Sequence, residues 1–250
     1  MKKILVVAHF HQAGLLRLDT IDLLQCLASL YDQIILISTN LKEIELNKIS
    51  PEIEVKIREN TGYDFYSYRE GINKILEKIS PNEISHLTLM NTSFVCLDVE
   101  KFKENYFEFC FRNTGIDAIG LTESTEIKHH IQSYLMTFNE NIMQNPKFIE
   151  WWDNMSPIDE RQQVIEQYEI GFSMLLGKLG FKIGALMCTD PRSGILNPTH
   201  GRFQEMLDIF GIIKIEVFKR NPHKLNLSAI NQMIRNDERA LVTIKEGLNN

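Results

Sequence analysis

The chain has 250 residues, 44% hydrophobic and 24% charged, a composition that excludes disordered and collagen-like classes and fits an ordinary folded protein. Its net charge is −6, and Lys and Arg are dispersed among Asp and Glu, so the basic stripe of a nucleic-acid binder is missing. No run approaches the roughly 18 apolar residues that spanning a bilayer takes. Cys26, Cys96, Cys110 and Cys188 form no CxxC pair and read as reduced thiols, which sets the expected location in the cytoplasm.

Met1-Lys2-Lys3 precedes Ile4-Leu5-Val6-Val7-Ala8, a run too short for a signal peptide and ending at His9-Phe10-His11. It is read as a first buried strand. His9 and His11 are read first as satisfied histidines at the strand end, with a metal pair as the alternative. Leu15 to Leu30 has the spacing of an amphipathic helix, with Leu16, Leu23, Leu24, Leu27 and Leu30 on one face. Ile34 to Ile37 predicts a second strand and Ile53 to Ile57 a third. Then comes a turn crowded with polar, aromatic and glycine residues, Arg58 to Gly71. It leads into Ile72, Ile75, Leu76 and Ile79 at helical spacing.

His86 to Met90 predicts a fourth strand, ending in Asn91-Thr92-Ser93. Beyond it the pattern loosens. Phe102, Tyr106, Phe109 and Phe111 suggest an aromatic-rich helix, and Ala118 to Leu121 and Tyr134 to Phe138 two strands. Pro146 can start a helix through Trp151 and Trp152. Glu160 to Leu179 reads as a longer helix stopped by Gly180, and Phe181 to Met187 as a strand. Asp190 to Arg202 is expected to be loop, Ile212 to Phe218 a last strand and Leu227 to Ile234 a terminal helix. Strands alternating with helices from the start argue for a mostly parallel, doubly wound sheet. In such sheets ligands bind outside the carboxyl ends of the strands, where the Arg58-to-Gly71 turn falls. A capped turn with aromatics tucked under the sheet is the competing reading.

Five segments in a fixed order now carry a resemblance. They are Arg58-Glu59-Asn60-Thr61-Gly62-Tyr63-Asp64-Phe65, Leu89-Met90-Asn91-Thr92-Ser93, His130-Ile131-Gln132-Ser133-Tyr134, Tyr168-Glu169-Ile170-Gly171 and Asn197-Pro198-Thr199-His200-Gly201. Together they resemble the rhamnan synthesis protein F family, from residue 1 to about Pro222. The resemblance implies a GT-A-like glycosyltransferase of cell-surface polysaccharide synthesis, often adding rhamnose from a nucleotide diphosphate sugar. The expected fold class is therefore α/β, a GT-A-like single domain with a mostly parallel, Rossmann-like central sheet and helices on both faces. Residues 1–95 would form the nucleotide-sugar half, 96–222 the acceptor and catalytic half, and 223–250 a C-terminal helical tail.

The resemblance also assigns roles. Arg58, Asn60, Gly62, Asp64, Arg69, Asn91 and Ser93 would hold the donor, although Arg69 also fits a helix-surface cation. His130, Gln132, Tyr134 and Trp152 would face the acceptor, with helix-core packing the competing job for a tryptophan. Glu169 would be the catalytic base of an inverting transfer, or else a surface ion-pair partner. The family commonly has Asn-Asp-Ser where this chain has Asn91-Thr92-Ser93. Hard divalent cations prefer carboxylate oxygens, so a Mg²⁺ or Mn²⁺ cofactor is doubtful, with His200 and Asp98 as weak substitute ligands. The partners implied are a nucleotide diphosphate sugar and a glycan or lipid-linked acceptor, with peripheral attachment at the inner face of the cell membrane. The reading from another class is a non-catalytic carbohydrate- or nucleotide-binding module that kept the fold and lost the metal site.

Overall fold

The computed structural model describes residues 1–221, 224, 226–228, 230, 232 and 238–249. Its centre is a sheet whose first strands are β1 (Lys2–His9), β2 (Gln33–Ser38), β3 (Ile53–Ile57) and β4 (Ile84–Asn91). These four are parallel, in the order β3-β2-β1-β4. A short β5 (Phe94–Cys96) follows, and then β6 (Ala118–Ser124), β7 (His130–Ile131) and β8 (Leu135–Asn139). β8 enters antiparallel between β4 and β6, β7 is antiparallel to the end of β6, and β9 (Ile183–Met187) is parallel to β6. The expected α/β class with a mostly parallel central sheet is what the chain forms.

Both faces of the sheet are covered, and β1 shows why. Leu5 and Val7 point into one apolar cluster and Ile4, Val6 and Ala8 into the other, as period-two alternation requires. The helix α1 (Leu18–Leu27) fills the first with Leu23, Leu24 and Leu27. The second is filled by α2 (Tyr63–Leu76) with Phe65, Tyr68, Ile72 and Ile75. Gly71 lets α2 approach β1, because a Cβ there would lie 2.4 Å from Val6 Cγ1. Register is tight at the carboxyl ends: His9 pairs with Ser38, Ala8 with Asn91, and Ser38 with Ile57. The turns after these strands therefore open on one edge.

Several boundaries differ from the sequence reading. Residues 161–178 are helical as expected, but Val164–Ile170 is a π-helical stretch. The segment expected to be loop holds two short helical turns, Pro191–Ser193 and Pro198–Gly201. The last strand is only β10 (Ile212–Lys214), and Ile215–Lys219 turns helical. β10 pairs antiparallel with β5, whose partners end at Phe94, so pairing stops there. Half of the residues of the helix expected over 227–234 fall outside the described residues. A helix at Glu238–Leu248, which apolar spacing did not reveal, packs Ala240 and Ile244 inward. No helix among the described residues is long and apolar enough to cross a membrane.

Candidate functional site

Two connected cavities lie at the carboxyl edge of the sheet. The smaller, about 290 Å³, is lined by residues including Thr39, Arg58, Asn60 and Asn91 from beyond or at the ends of β2, β3 and β4, and Asp64 from the first turn of α2. The larger, about 900 Å³, continues past His130, Gln132, Glu169, Thr199 and Lys214. Phe10, Tyr63, Asp64, Asn91 and Ser93 border both. A site with two compartments meeting at Asp64 and Asn91 results.

The turn between β3 and α2 is held in an uncommon conformation. Gly62 (φ 66°) and Tyr63 (φ 52°) are consecutive left-handed residues, which for Tyr63 costs on the order of 1–3 kcal/mol. Arg58 holds it there. Its guanidinium donates to Ser67 Oγ (2.9 and 2.7 Å) and to the carbonyls of Glu59 (2.7 Å), Thr61 (2.6 Å) and Tyr63 (2.7 Å), and it lies over the Tyr66 ring. All five of its N–H donors are thus engaged by the turn itself. Arg58 borders the smaller cavity, but the structure gives it the work of shaping the turn rather than a free fork for a phosphate. Gly62 supplies the left-handed entry to α2, and its N–H donates to Asp159 Oδ1 (3.3 Å). It lines neither cavity.

Asp64, in the first turn of α2, accepts a hydrogen bond from Asn91 Nδ2 (2.6 Å). Burial raises its carboxyl pKa, against the opposing pull of Asn91, Lys214 and Arg58. Asn91 Oδ1 in turn accepts from the Ser93 N–H (3.0 Å) and the Ser93 hydroxyl. Ser93 Oγ accepts from Lys214 Nζ, which sits 4.1 Å above the centre of the Tyr134 ring. The chain Lys214, Ser93, Asn91, Asp64 thus links the two compartments with donors and acceptors in series. Lys214 carried no local signal in the sequence; it was read as one residue of an apolar strand. Tyr63 and Phe10 are exposed aromatics at the rim, which no sequence motif marks as site residues.

On the far wall, Glu169 projects from the π-helical stretch, a local widening often found at functional sites. Its Oε1 accepts from the Ser133 N–H (2.6 Å) and Ser133 Oγ (2.7 Å). His130 Nε2 lies 3.8 Å from the other oxygen. The Lys128 carbonyl can only accept, so His130 Nδ1 bears the proton it donates there (2.7 Å). Gln132 Oε1 accepts from Thr122 Oγ1 and Thr199 Oγ1 (2.7 Å each). Tyr134 borders the cavity as well, with its ring beneath Lys214.

Besides Gly62, three expected site residues lie elsewhere. Trp152 is fully buried, stacked on Phe65 at 6.0 Å between centroids, so it packs α2 against Pro146–Asp153 and cannot face an acceptor. Arg69 is on the side of α2 away from both cavities, reaching Glu70 (3.1 Å) and the Asp153 carbonyl (3.5 Å). Asp98 caps the helix Val99–Phe102 by accepting from the Lys101 N–H (3.0 Å), outside the cavities.

The turn after β4 presents an amide and two hydroxyl side chains, and no group of three His, Cys, Asp or Glu able to hold an ion is found among the described residues. His200 borders the larger cavity with Nε2 4.0 Å from Glu216. His9 bonds Ser38 Oγ (2.8 Å) and the Leu15 carbonyl (3.1 Å), and burial lowers its pKa to about 4. His11 Nδ1 accepts from the Ala13 N–H (3.1 Å) and the Leu15 N–H (3.4 Å). Both are satisfied strand-end histidines.

Comparison with known proteins places the chain. The profile of the family described as Rhamnan synthesis protein F matches residues 4–236, and the chain belongs to that family. It is 27% identical over 183 residues to the uncharacterized protein y4gN of Sinorhizobium fredii, covering 71% of this chain and 46% of that one. It is also 27% identical over 132 residues to the virulence protein VirA of Vibrio anguillarum, covering 52% and 40%. The chain thus matches less than half the length of these relatives. Among solved structures, a glycosyltransferase involved in glycosylation of the major capsid of PBCV-1 superposes with a TM-score of 0.45 at 9% identity, over 85% of this chain and 93% of that one. Glucosyl-3-phosphoglycerate synthase from Mycobacterium tuberculosis superposes with a TM-score of 0.44 at 10% identity, over 75% and 68%.

Proposed function

From membership in the rhamnan synthesis protein F family, we propose that the chain is a glycosyltransferase that takes its sugar from a nucleotide diphosphate donor. The observation that carries this reading is the two-compartment cavity, with Asp64 and Asn91 at its junction and the Glu169 carboxylate on the far wall. The nucleotide occupies the smaller compartment, against Asn60 and Asp64, and Asp64 accepts from a sugar hydroxyl. The acceptor enters the larger one, beside His130 and Gln132. Glu169 lies on the acceptor side, where an inverting transfer needs its base. The acceptor oxygen bonds to the anomeric carbon, its proton passes to Glu169, and the bond to the diphosphate breaks with its electron pair on the leaving oxygen. Rhamnose as the donor sugar, a polysaccharide or lipid-linked acceptor, and peripheral attachment to a membrane complete the proposal.

A second reading, a binding module without catalysis, is favoured by one feature, Thr92 in place of a carboxylate. The two separate in one experiment. A thermal-shift screen of nucleoside diphosphate sugars identifies a donor, because a ligand of the folded state raises stability by mass action. Release of nucleoside diphosphate from that donor, with acceptor glycan present, supports the transferase; binding without turnover supports the module. No shift with any donor overturns the transferase and the nucleotide-binding form of the module.

A further inference from the structure

We propose that Lys214 is the built-in cation of this site, standing against the donor diphosphate where a divalent metal would otherwise act. The inference rests on the nucleotide-sugar reading above and concerns how the leaving group's charge is met.

The argument starts at the turn after β4. Its backbone is locked from beneath: the Thr92 carbonyl accepts from Arg17 Nη1 (2.9 Å), and the Thr92 N–H donates to the Ala8 carbonyl (3.2 Å). Arg17 is itself paired with Asp19 (2.9 Å), and both side chains are almost wholly buried. The turn thus offers side-chain amide and hydroxyl groups in a fixed frame, but no carboxylate for a hard cation. The nearby Asp64 carboxylate already has one oxygen taken by Asn91 (2.6 Å).

A cation is delivered to the same frame from the distant end of the chain. β10 pairs with β5 so that Lys214 lies opposite Phe94, the residue after Ser93. Its ammonium donates to Ser93 Oγ and rests on the face of Tyr134, the favourable face for a cation. Ser93, its one hydrogen-bond acceptor among the described residues, borders both compartments, so the ammonium stands at their junction, where a diphosphate reaching out of the smaller one would meet it. Asp64, Glu169 and Glu216 favour the charged form, while burial and Arg161 oppose it and bring the pKa down to about 8. The amine is therefore still protonated at neutral pH, and an incoming diphosphate would hold it so more firmly. The Ser93–Asn91–Asp64 chain orients it without neutralising it.

The test is isothermal titration with UDP, dTDP and GDP, first in EDTA and then with Mn²⁺, on the full chain and on Lys214→Met and Lys214→Arg. We expect the wild type to bind at least one of them in EDTA. Lys214→Met should weaken that binding by about ten- to a hundredfold, the loss of one charge-assisted contact, while Lys214→Arg keeps most of it. Equal binding by folded Lys214→Met overturns the proposal and leaves the transferase reading standing. So does wild-type binding that appears only with Mn²⁺, an outcome that decides the matter even where Lys214→Met does not fold. No binding by the wild type in either buffer overturns the nucleotide-sugar reading itself, and this inference with it.

Discussion

Replacing Lys214 by Met should make stability respond differently to pH, and the sign follows from the burial of the ammonium. The folded chain holds this amine at about 8 against 10.5 for a free lysine. Below pH 8 both folded and unfolded chains keep the proton, and the fold bears the full cost of a charge in a partly buried site. Between pH 8 and 10.5 the unfolded chain binds more protons than the folded one, so stability rises with pH through this window. The displacement corresponds to at most about 3 kcal/mol at pH 7, falling below about 1 kcal/mol at pH 10. Lys214→Met lacks this term and also loses the Ser93 and Tyr134 contacts, about 1–2 kcal/mol together. At pH 7 the variant should therefore be as stable as the wild type or more so. At pH 10 it should be the less stable of the two. Urea unfolding at both pH values measures the wild-type-minus-variant difference, in which the other titrating groups cancel. The difference should move by about 2–3 kcal/mol in favour of the wild type on going to pH 10. A difference that does not change with pH would refute the placement of a charged Lys214 against this wall.

Other variants probe the rest of the site. Glu169→Gln keeps the shape and the Ser133 contacts but cannot take the acceptor proton, so turnover should drop by about 10²–10⁴-fold with donor affinity nearly unchanged; preserved turnover per folded molecule would remove Glu169 as the base. Arg58→Met should destabilise the chain by about 2–4 kcal/mol in urea unfolding, because the carbonyls of Glu59, Thr61 and Tyr63 lose their donor. Arg58→Lys should not rescue it, since an ammonium cannot span the fork; full stability of either variant counts against the clamp. Trp152→Ala should cost about 3–5 kcal/mol of stability and leave the acceptor KM of the folded fraction alone. A large rise in KM without loss of stability would return Trp152 to the acceptor site.

The apolar runs at Ile4–Ala8 and Ile34–Ile37 were enough to place two strands, because a strand buried on both faces has a continuous apolar signature, and the alternation in Ile53–Ile57 and the apolar residues of His86–Met90 placed two more. The turn beginning at Arg58 was legible for a similar local reason: a strand, a glycine and an amphipathic helix follow one another without a gap. Asp64, Asn91, Gln132 and Glu169, named from separate motifs, line one connected pair of cavities. What a side chain does once it arrives was not legible. Arg58 reads as a residue that would hold the donor, yet the carbonyls that consume its N–H groups belong to a turn whose left-handed Tyr63 no pattern shows. Trp152 looked like a sugar platform, and only the packing of α2 against its helix buries it. Lys214 left no trace at all, since it stands 121 residues from Ser93 in the chain and nothing local distinguishes it from a lysine at a strand end. Its charge matters because antiparallel pairing of β10 with β5 carries it beside that serine. Local periodicity determines which segments become strands and helices, whereas a long-range pairing decides which polar atoms meet, and in this chain that meeting sets the charge of the site.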